Sequence, residues 1–394
     1  MISKKMEGLV RNNSVIRQMF EEGQRMAQEF GAENVYDFSL GNPNVPAPEK
    51  VKESIIRLAS EENPLKLHGY MSNAGFPEVR RRIADSLNKR FGTAFDENNI
   101  MMTVGAAGGL NCALRAILNP GDEVLSFVPY FLEYRNYVNN FDGKLVEVGT
   151  TPETFMPDLA DLERKIGPKT RALIINNPNN PTGVVYSEEV IRAVSGILEK
   201  AQEKYGSEIF IISDEPYREL VYSDKEVPFI TKYYKNTLVG YSYSKSLSLP
   251  GERIGYLVVP YEAAGYEELF AAVTIANRVM GFVNAPSLMQ LVIGDCVDEK
   301  ADIDFYRKNR DTIYDALTSY GFTCVKPEGA FYLFLKSPIE DEREFVAQAK
   351  EEHILLVPGS SFSCKGYVRL AYCVSHEMIS RSLPAFKRLA EKLL

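Results

Sequence analysis

A chain of 394 residues exceeds the length at which a single hydrophobic core stops growing, so two structural units are expected. With 45% hydrophobic and 25% charged residues and a formal charge of −8, it reads as a globular protein with an acidic surface, lacking the clustered Lys and Arg of a nucleic-acid binder. The N-terminus has no apolar signal core, the longest charge-free apolar stretch (279–294) is too short and polar to span a bilayer, and five scattered cysteines without CxxC spacing fit reduced thiols in the cytoplasm.

In chain order, helical spacing over about 13–30 stops at Gly31, and the extended, proline-rich YDFSLGNPNVPAP fills 36–48. From Ile100 onward, short apolar runs alternate with amphipathic helical patterns. Strands are expected at 100–104, 123–128, 144–148, 171–175, 209–213, 237–241 and 254–259. Several of these runs are almost continuously hydrophobic, as strands covered by helices on both faces are. The alternation predicts an α/β fold with a large, doubly wound, mainly parallel sheet. After about residue 284 the order changes: a long helix, the strand AFYLFLK, a helix over about 343–353, the runs ILLVP and YVRLAYC, and a closing helix from about His376. That reads as a smaller α+β unit. The expected division is 45–283 for the large domain, with 1–44 and 284–394 forming the small one.

Ligands of open α/β sheets bind at the carboxyl ends of the strands, and four polar clusters fall at such ends. MMTVGAAGGLNCAL (101–114) is strand, small-residue turn and helix, where the free N–H groups of Ala106 and Ala107 suit an anion; close helix–sheet packing would explain the small residues equally well. IINNPNNPTGVV (174–185) is built of turn formers. In IFIISDEPYREL, Asp214 ends an apolar strand, where it either caps the next segment or faces a ligand, and Tyr217 follows by three residues. SYSKSLSLPGERIG places Lys245 after a strand, among the hydroxyls of Ser242 and Ser244, with Arg253 eight residues on. A lone strand-end lysine is ordinarily a solvated cation. Beside an arginine able to bind phosphate bidentately, and partly desolvated, it is an amine suited to imine formation.

The last of these clusters resembles, at every defined position, the cofactor-attachment signature of the class I aminotransferases, which are fold-type I pyridoxal-phosphate enzymes. The resemblance runs from about residue 30 to the C-terminus. It implies pyridoxal 5'-phosphate as cofactor, its aldehyde held by Lys245 and its phosphate by Ser242, Arg253 and the Ala106–Ala107 turn. Ala107 stands where many relatives carry a hydroxyl or Gln. The family's Asp-x-x-Tyr gives Asp214 the pyridine nitrogen and Tyr217 the phenolic oxygen; Asp214 precedes Lys245 by 31 residues, close to the family's spacing. Asn180 of the Asn-Pro-Thr-Gly loop faces the same oxygen, and Phe131, in VPYFLEY, stacks on the ring.

For the substrate, the resemblance implies that Arg369, in YVRLAYC, grips the α-carboxylate and that Gly41, in SLGNP, lies in the loop closing over it. A buried arginine without a partner is costly, and a carboxylate would satisfy it. Tyr70, in HGYMSNAG, matches the tyrosine that reaches the phosphate from a neighbouring subunit, so a homodimer with shared sites is expected. Arg278, in ANRVMGFVNAPS, lies near the place of the arginine that reads a distal carboxylate in aspartate aminotransferases, offset by one residue; a helix-surface salt bridge is the alternative.

The implied reaction is transfer of the amino group of an L-amino acid to a 2-oxo acid, with aspartate and 2-oxoglutarate the leading pair and aromatic or alanine-type donors open. A carbon–sulfur β-lyase of the same fold is the alternative. A ligand-sensing regulator on this fold would need a DNA-binding domain, and fewer than 45 residues precede the main unit. No metal is expected: the three histidines are isolated, without HExxH. No membrane or nucleic-acid partner is expected either.

Overall fold

The computed structural model describes residues 1–11, 15–223 and 226–394. A short strand, β1 (Tyr36–Asp37), precedes the seven expected in the alternating region: β2 (Ile100–Thr103), β3 (Glu123–Phe127), β4 (Lys144–Val148), β5 (Thr170–Asn176), β6 (Phe210–Asp214), β7 (Thr237–Ser242) and β8 (Gly255–Val258). Those seven form one sheet in the order β2-β8-β7-β6-β5-β3-β4. Every neighbouring pair is parallel except the two that β8 makes, with β7 and β2.

Alternate residues of these strands feed two cores. Val124, Ile174, Ile212 and Leu238 pack with Leu110 and Leu114 of the helix Gly105–Ile117 and Val273 of Tyr266–Val279. Leu125, Ile175 and Ile211 face the other way, onto Ile191, Val194 and Leu198 of Glu188–Tyr205. With both faces covered, the strands read as apolar runs instead of alternating ones.

The C-terminal third carries β9 (Tyr332–Lys336), β10 (Ile354–Leu355), β11 (Val357–Pro358) and β12 (Tyr367–Ala371). The antiparallel sheet β11-β12-β9 packs against the helices Ile303–Ser319 and His376–Leu393. Strand β1 pairs in parallel with β10, which joins the N-terminal segment to this unit. The described part of the helix expected at 13–30 is Val15–Phe30; residue 13 lies outside the described residues.

The single long helix expected after residue 284 is instead two, Ser287–Cys296 and Ile303–Ser319. Asp302 starts the second by accepting the Phe305 N–H at 3.1 Å. The first packs beside Glu49–Glu61 and Pro77–Phe91, its Met289, Leu291 and Val292 sharing a core with Val51, Leu58 and Ile83. On that packing we propose that the division between the two units falls after Cys296. Among the described residues, no helix is long and apolar enough to cross a membrane.

Candidate active site

Strands β2, β3, β5, β6 and β7 run in one direction, so their carboxyl ends share an edge of the sheet, and antiparallel β8 begins there. At that edge, between the large sheet and β12, lies a cavity of about 280 Å3. Eleven of the thirteen residues singled out from sequence line it: Gly41, Ala106, Ala107, Phe131, Asn180, Asp214, Tyr217, Ser242, Lys245, Arg253 and Arg369. Each comes from the last residue of a strand or the turn that follows it, apart from Gly41 in the extended N-terminal segment, Arg253 just before β8, and Arg369 within β12.

Asp214 is buried at the end of β6. Its Oδ2 accepts the Tyr134 hydroxyl at 2.5 Å, while its Oδ1 has no partner among the described residues. Desolvation, helped by the neighbouring Glu215 charge and opposed by the Tyr134 hydrogen bond, pushes this carboxyl up to about 7. A carboxylate so placed wants a hydrogen-bonding cation beside its free oxygen.

Lys245 follows β7 in a four-residue helical turn, where Ser242 caps the turn and its Oγ lies 2.7 Å from that of Ser244. The Lys245 Nζ donates to the Gly41 carbonyl at 2.6 Å and stands 5.3 Å from the centre of the Phe331 ring. Burial, with the Arg369 and Arg253 charges and against the Cys373 thiol, brings the amine down to about 8. No ion pair to a carboxylate is formed by Lys245 or Arg369 among the described residues.

Arg369 is fully buried in β12 opposite Phe334. It donates through Nη1 to the Asn180 Oδ1 at 3.1 Å and through Nη2 to the Ser39 carbonyl at 2.6 Å, leaving Nε unpartnered. A buried guanidinium with only neutral partners is poised for an anion. Arg253, at φ 51°, approaches the backbone of Gly105 so closely that a Cβ there would sit 2.9 Å from its Nη2. The glycine leaves that guanidinium free to lean over the first turn of Gly105–Ile117, next to Ala106 and Ala107.

The lining residues that escaped the sequence reading include Tyr134 and Tyr332. Tyr134, which bonds Asp214, sits three residues after Phe131 at the start of the helix Glu133–Asn140, and that spacing was the available signal. Tyr332, whose hydroxyl is 2.9 Å from that of Tyr217, lies in an apolar strand where nothing marks it out. Tyr70 and Arg278 are not brought to this cavity by their own chain. Tyr70 is 95% exposed, in a surface groove with Phe282 and Val283, and Arg278 is exposed in the last turn of Tyr266–Val279.

Known proteins resemble the chain along nearly its whole length. An aminotransferase of known structure from Eubacterium rectale superposes with a TM-score of 0.97 at 48% identity, covering 100% of this chain and 99% of that one. Aspartate/prephenate aminotransferase of Thermus thermophilus is 33% identical over 89% of this chain and 90% of its own length. A probable N-acetyl-LL-diaminopimelate aminotransferase of Bacillus subtilis is 32% identical, over 89% and 88% respectively. The model of the aminotransferase class I and II family matches residues 33–386, from β1 to the closing helix, and the chain belongs to that family of aminotransferases.

Proposed function

We propose that the cavity holds pyridoxal 5'-phosphate on Lys245 and that the enzyme moves the amino group of an L-amino acid, aspartate first among candidates, to a 2-oxo acid such as 2-oxoglutarate. The observation that carries the cofactor reading is the unpartnered Asp214 Oδ1 facing the same cavity as a lysine without a counter-ion. The residues present fit the group: a buried carboxyl for a protonated ring nitrogen, a lowered amine for an aldehyde, and an arginine with two serine hydroxyls and helix-turn N–H groups for a phosphate.

When bound, the cofactor supplies an imine-forming carbon and a ring that draws off the electrons left when the substrate α-carbon loses its proton. The chain does the rest. Arg369 would bind the substrate α-carboxylate through the guanidinium edge that now has only neutral partners. Asn180, bonded to Arg369, and Tyr217 would orient the ring through its phenolic oxygen. Asp214 would hold the proton on the ring nitrogen, itself held by Tyr134. Once displaced by the substrate, the Lys245 Nζ would take the α-proton and return one from the same face, acting as base and then acid. Phe131, which lines the cavity with Tyr332, would stack on the ring.

Aspartate as donor is supported by the Thermus relative's name, while the similarly distant Bacillus relative is named for a different acidic substrate. Arg278 would read a distal carboxylate only from a second copy, so that role rests on a homodimer in which Tyr70 also crosses to the partner's site. The five free cysteines fit a reducing, cytoplasmic setting. The test is a half-reaction: purified holoenzyme with L-aspartate and no acceptor converts its cofactor to pyridoxamine phosphate and releases oxaloacetate. Pyruvate released from sulfur amino acids, with no pyridoxamine phosphate formed from any donor, would instead make it a β-lyase. Failure of borohydride to fix the coenzyme to Lys245 would overturn the site.

A further inference from the structure

We propose that Tyr332 is a positioning residue: it donates its proton to the Tyr217 oxygen and thereby aims the Tyr217 hydroxyl into the cavity. This rests on the reading that the cavity holds pyridoxal phosphate. The two hydroxyls lie 2.9 Å apart, buried, and both residues line the cavity. Among the described residues neither hydroxyl has another hydrogen-bond partner. Each phenol carries one proton, so whichever donates leaves the other oxygen with a free O–H. A Tyr217 that donated to Tyr332 would have nothing left to give a ligand.

The surroundings decide the direction. The Arg369 guanidinium stands 4.5 Å from the centre of the Tyr332 ring, a cation that favours electron density on that phenol and repels an O–H turned towards it. Tyr217 feels Arg369 as well, but it also has the Asp214 carboxyl as a neighbour, whose negative charge opposes the guanidinium. Burial pushes Tyr332 up to about 12 and Tyr217 well above its ordinary value, so both stay protonated. The phenol with the guanidinium over its ring is the better donor, and donation polarises the acceptor's own O–H for the next bond. The backbone keeps this arrangement, since any Cβ at Gly41 would collide with the Tyr332 hydroxyl. A tyrosine missed in the sequence thus links the guanidinium that would bind the substrate carboxylate to the hydroxyl that would face the ring oxygen.

The readout is the pH titration of the visible chromophore that the cofactor forms with Lys245, compared in wild type, Tyr332→Phe, Tyr217→Phe and the double variant. A weaker Tyr217 donor leaves more negative charge on the ring oxygen, which then holds the chromophore's proton more tightly. Tyr332→Phe is expected to raise the apparent pKa by about half a unit or more, and to add nothing in the Tyr217→Phe background. An unmoved pKa in Tyr332→Phe, or its full shift without Tyr217, overturns the relay alone. A wild type that forms no visible adduct with pyridoxal phosphate overturns the cofactor reading, and the relay falls with it.

Discussion

Lys245 has lost what normally keeps a lysine charged. Its amine faces a cavity with two arginines, Arg369 and Arg253, a thiol at Cys373 that stays protonated, and no ion-paired carboxylate among the described residues. Desolvation is the larger effect and the two cations add to it, so the neutral amine is favoured above about 8. Only that form attacks an aldehyde. The sign follows directly: a pKa lowered from the ordinary lysine value increases the reactive fraction as pH rises towards 8, with little gain beyond. The rate at which apoprotein captures pyridoxal phosphate, followed by absorbance, is therefore expected to climb about tenfold per pH unit below 8 and to level off above it. A rate flat from pH 6 to 8 would contradict this amine environment. The same environment explains which residues the sequence disclosed. Lys245, Arg253, Asp214 and Asn180 sit in polar turns that interrupt apolar strands, a contrast visible in one dimension. Tyr134 and Tyr332 bring their hydroxyls to the site while their rings belong to cores, so the chain presents them as ordinary buried aromatics.

Between residues and the whole chain, the loop after β5 shows how a turn ties the two units together. Gly183 has φ 72°, and its carbonyl accepts the N–H groups of both Glu328 and Gly329, each at 2.9 Å. A Cβ there would lie 2.6 Å from the Pro327 Cβ and 2.9 Å from the Tyr332 carbonyl. Gly183→Ala therefore meets both left-handed backbone strain and a wall of backbone atoms, and is expected to cost about 2–5 kcal/mol in denaturant unfolding. Because Asn180 lies in the same loop, cofactor retention should fall with it; wild-type stability and retention together would show that the loop yields freely. At this scale the sequence was most informative where burial is two-sided. Each end of the seven large-sheet strands falls within one residue of its expected place, because strands covered on both faces are uninterrupted apolar runs ended by polar turns. It was least informative where elements are short. Strands β10 and β11 hold two residues each, so ILLVP alone cannot show where one ends. The break between Ser287–Cys296 and Ile303–Ser319 is set by which core each helix enters, which local periodicity does not encode.

For the molecule as a whole, the telling residue is Tyr70. A tyrosine 95% exposed beside Phe282 and Val283 is an uneconomical surface for an isolated chain. The groove lies close to the start of the helix Gly105–Ile117, since a Cβ at Gly108 would come 3.9 Å from the Phe282 ring. A second copy seated there by twofold symmetry would bring each Tyr70 near the other chain's Ala106–Ala107 turn, an arrangement that single-chain patterning cannot announce. Sharing can be separated from mere dimerisation by mixing two defective chains. Lys245→Ala lacks the amine, while Tyr70→Ala is expected to lose most activity at limiting cofactor. If Tyr70 serves the partner's site, a hybrid dimer has one site with both lesions and one with neither. Random assortment of equal amounts then makes half the dimers hybrid, each with one intact site, restoring about a quarter of wild-type activity. If Tyr70 served its own chain, each hybrid site would keep one lesion and mixing would restore nothing. Size-exclusion chromatography of the same mixtures must show dimers, and an active monomer would end the shared-site model.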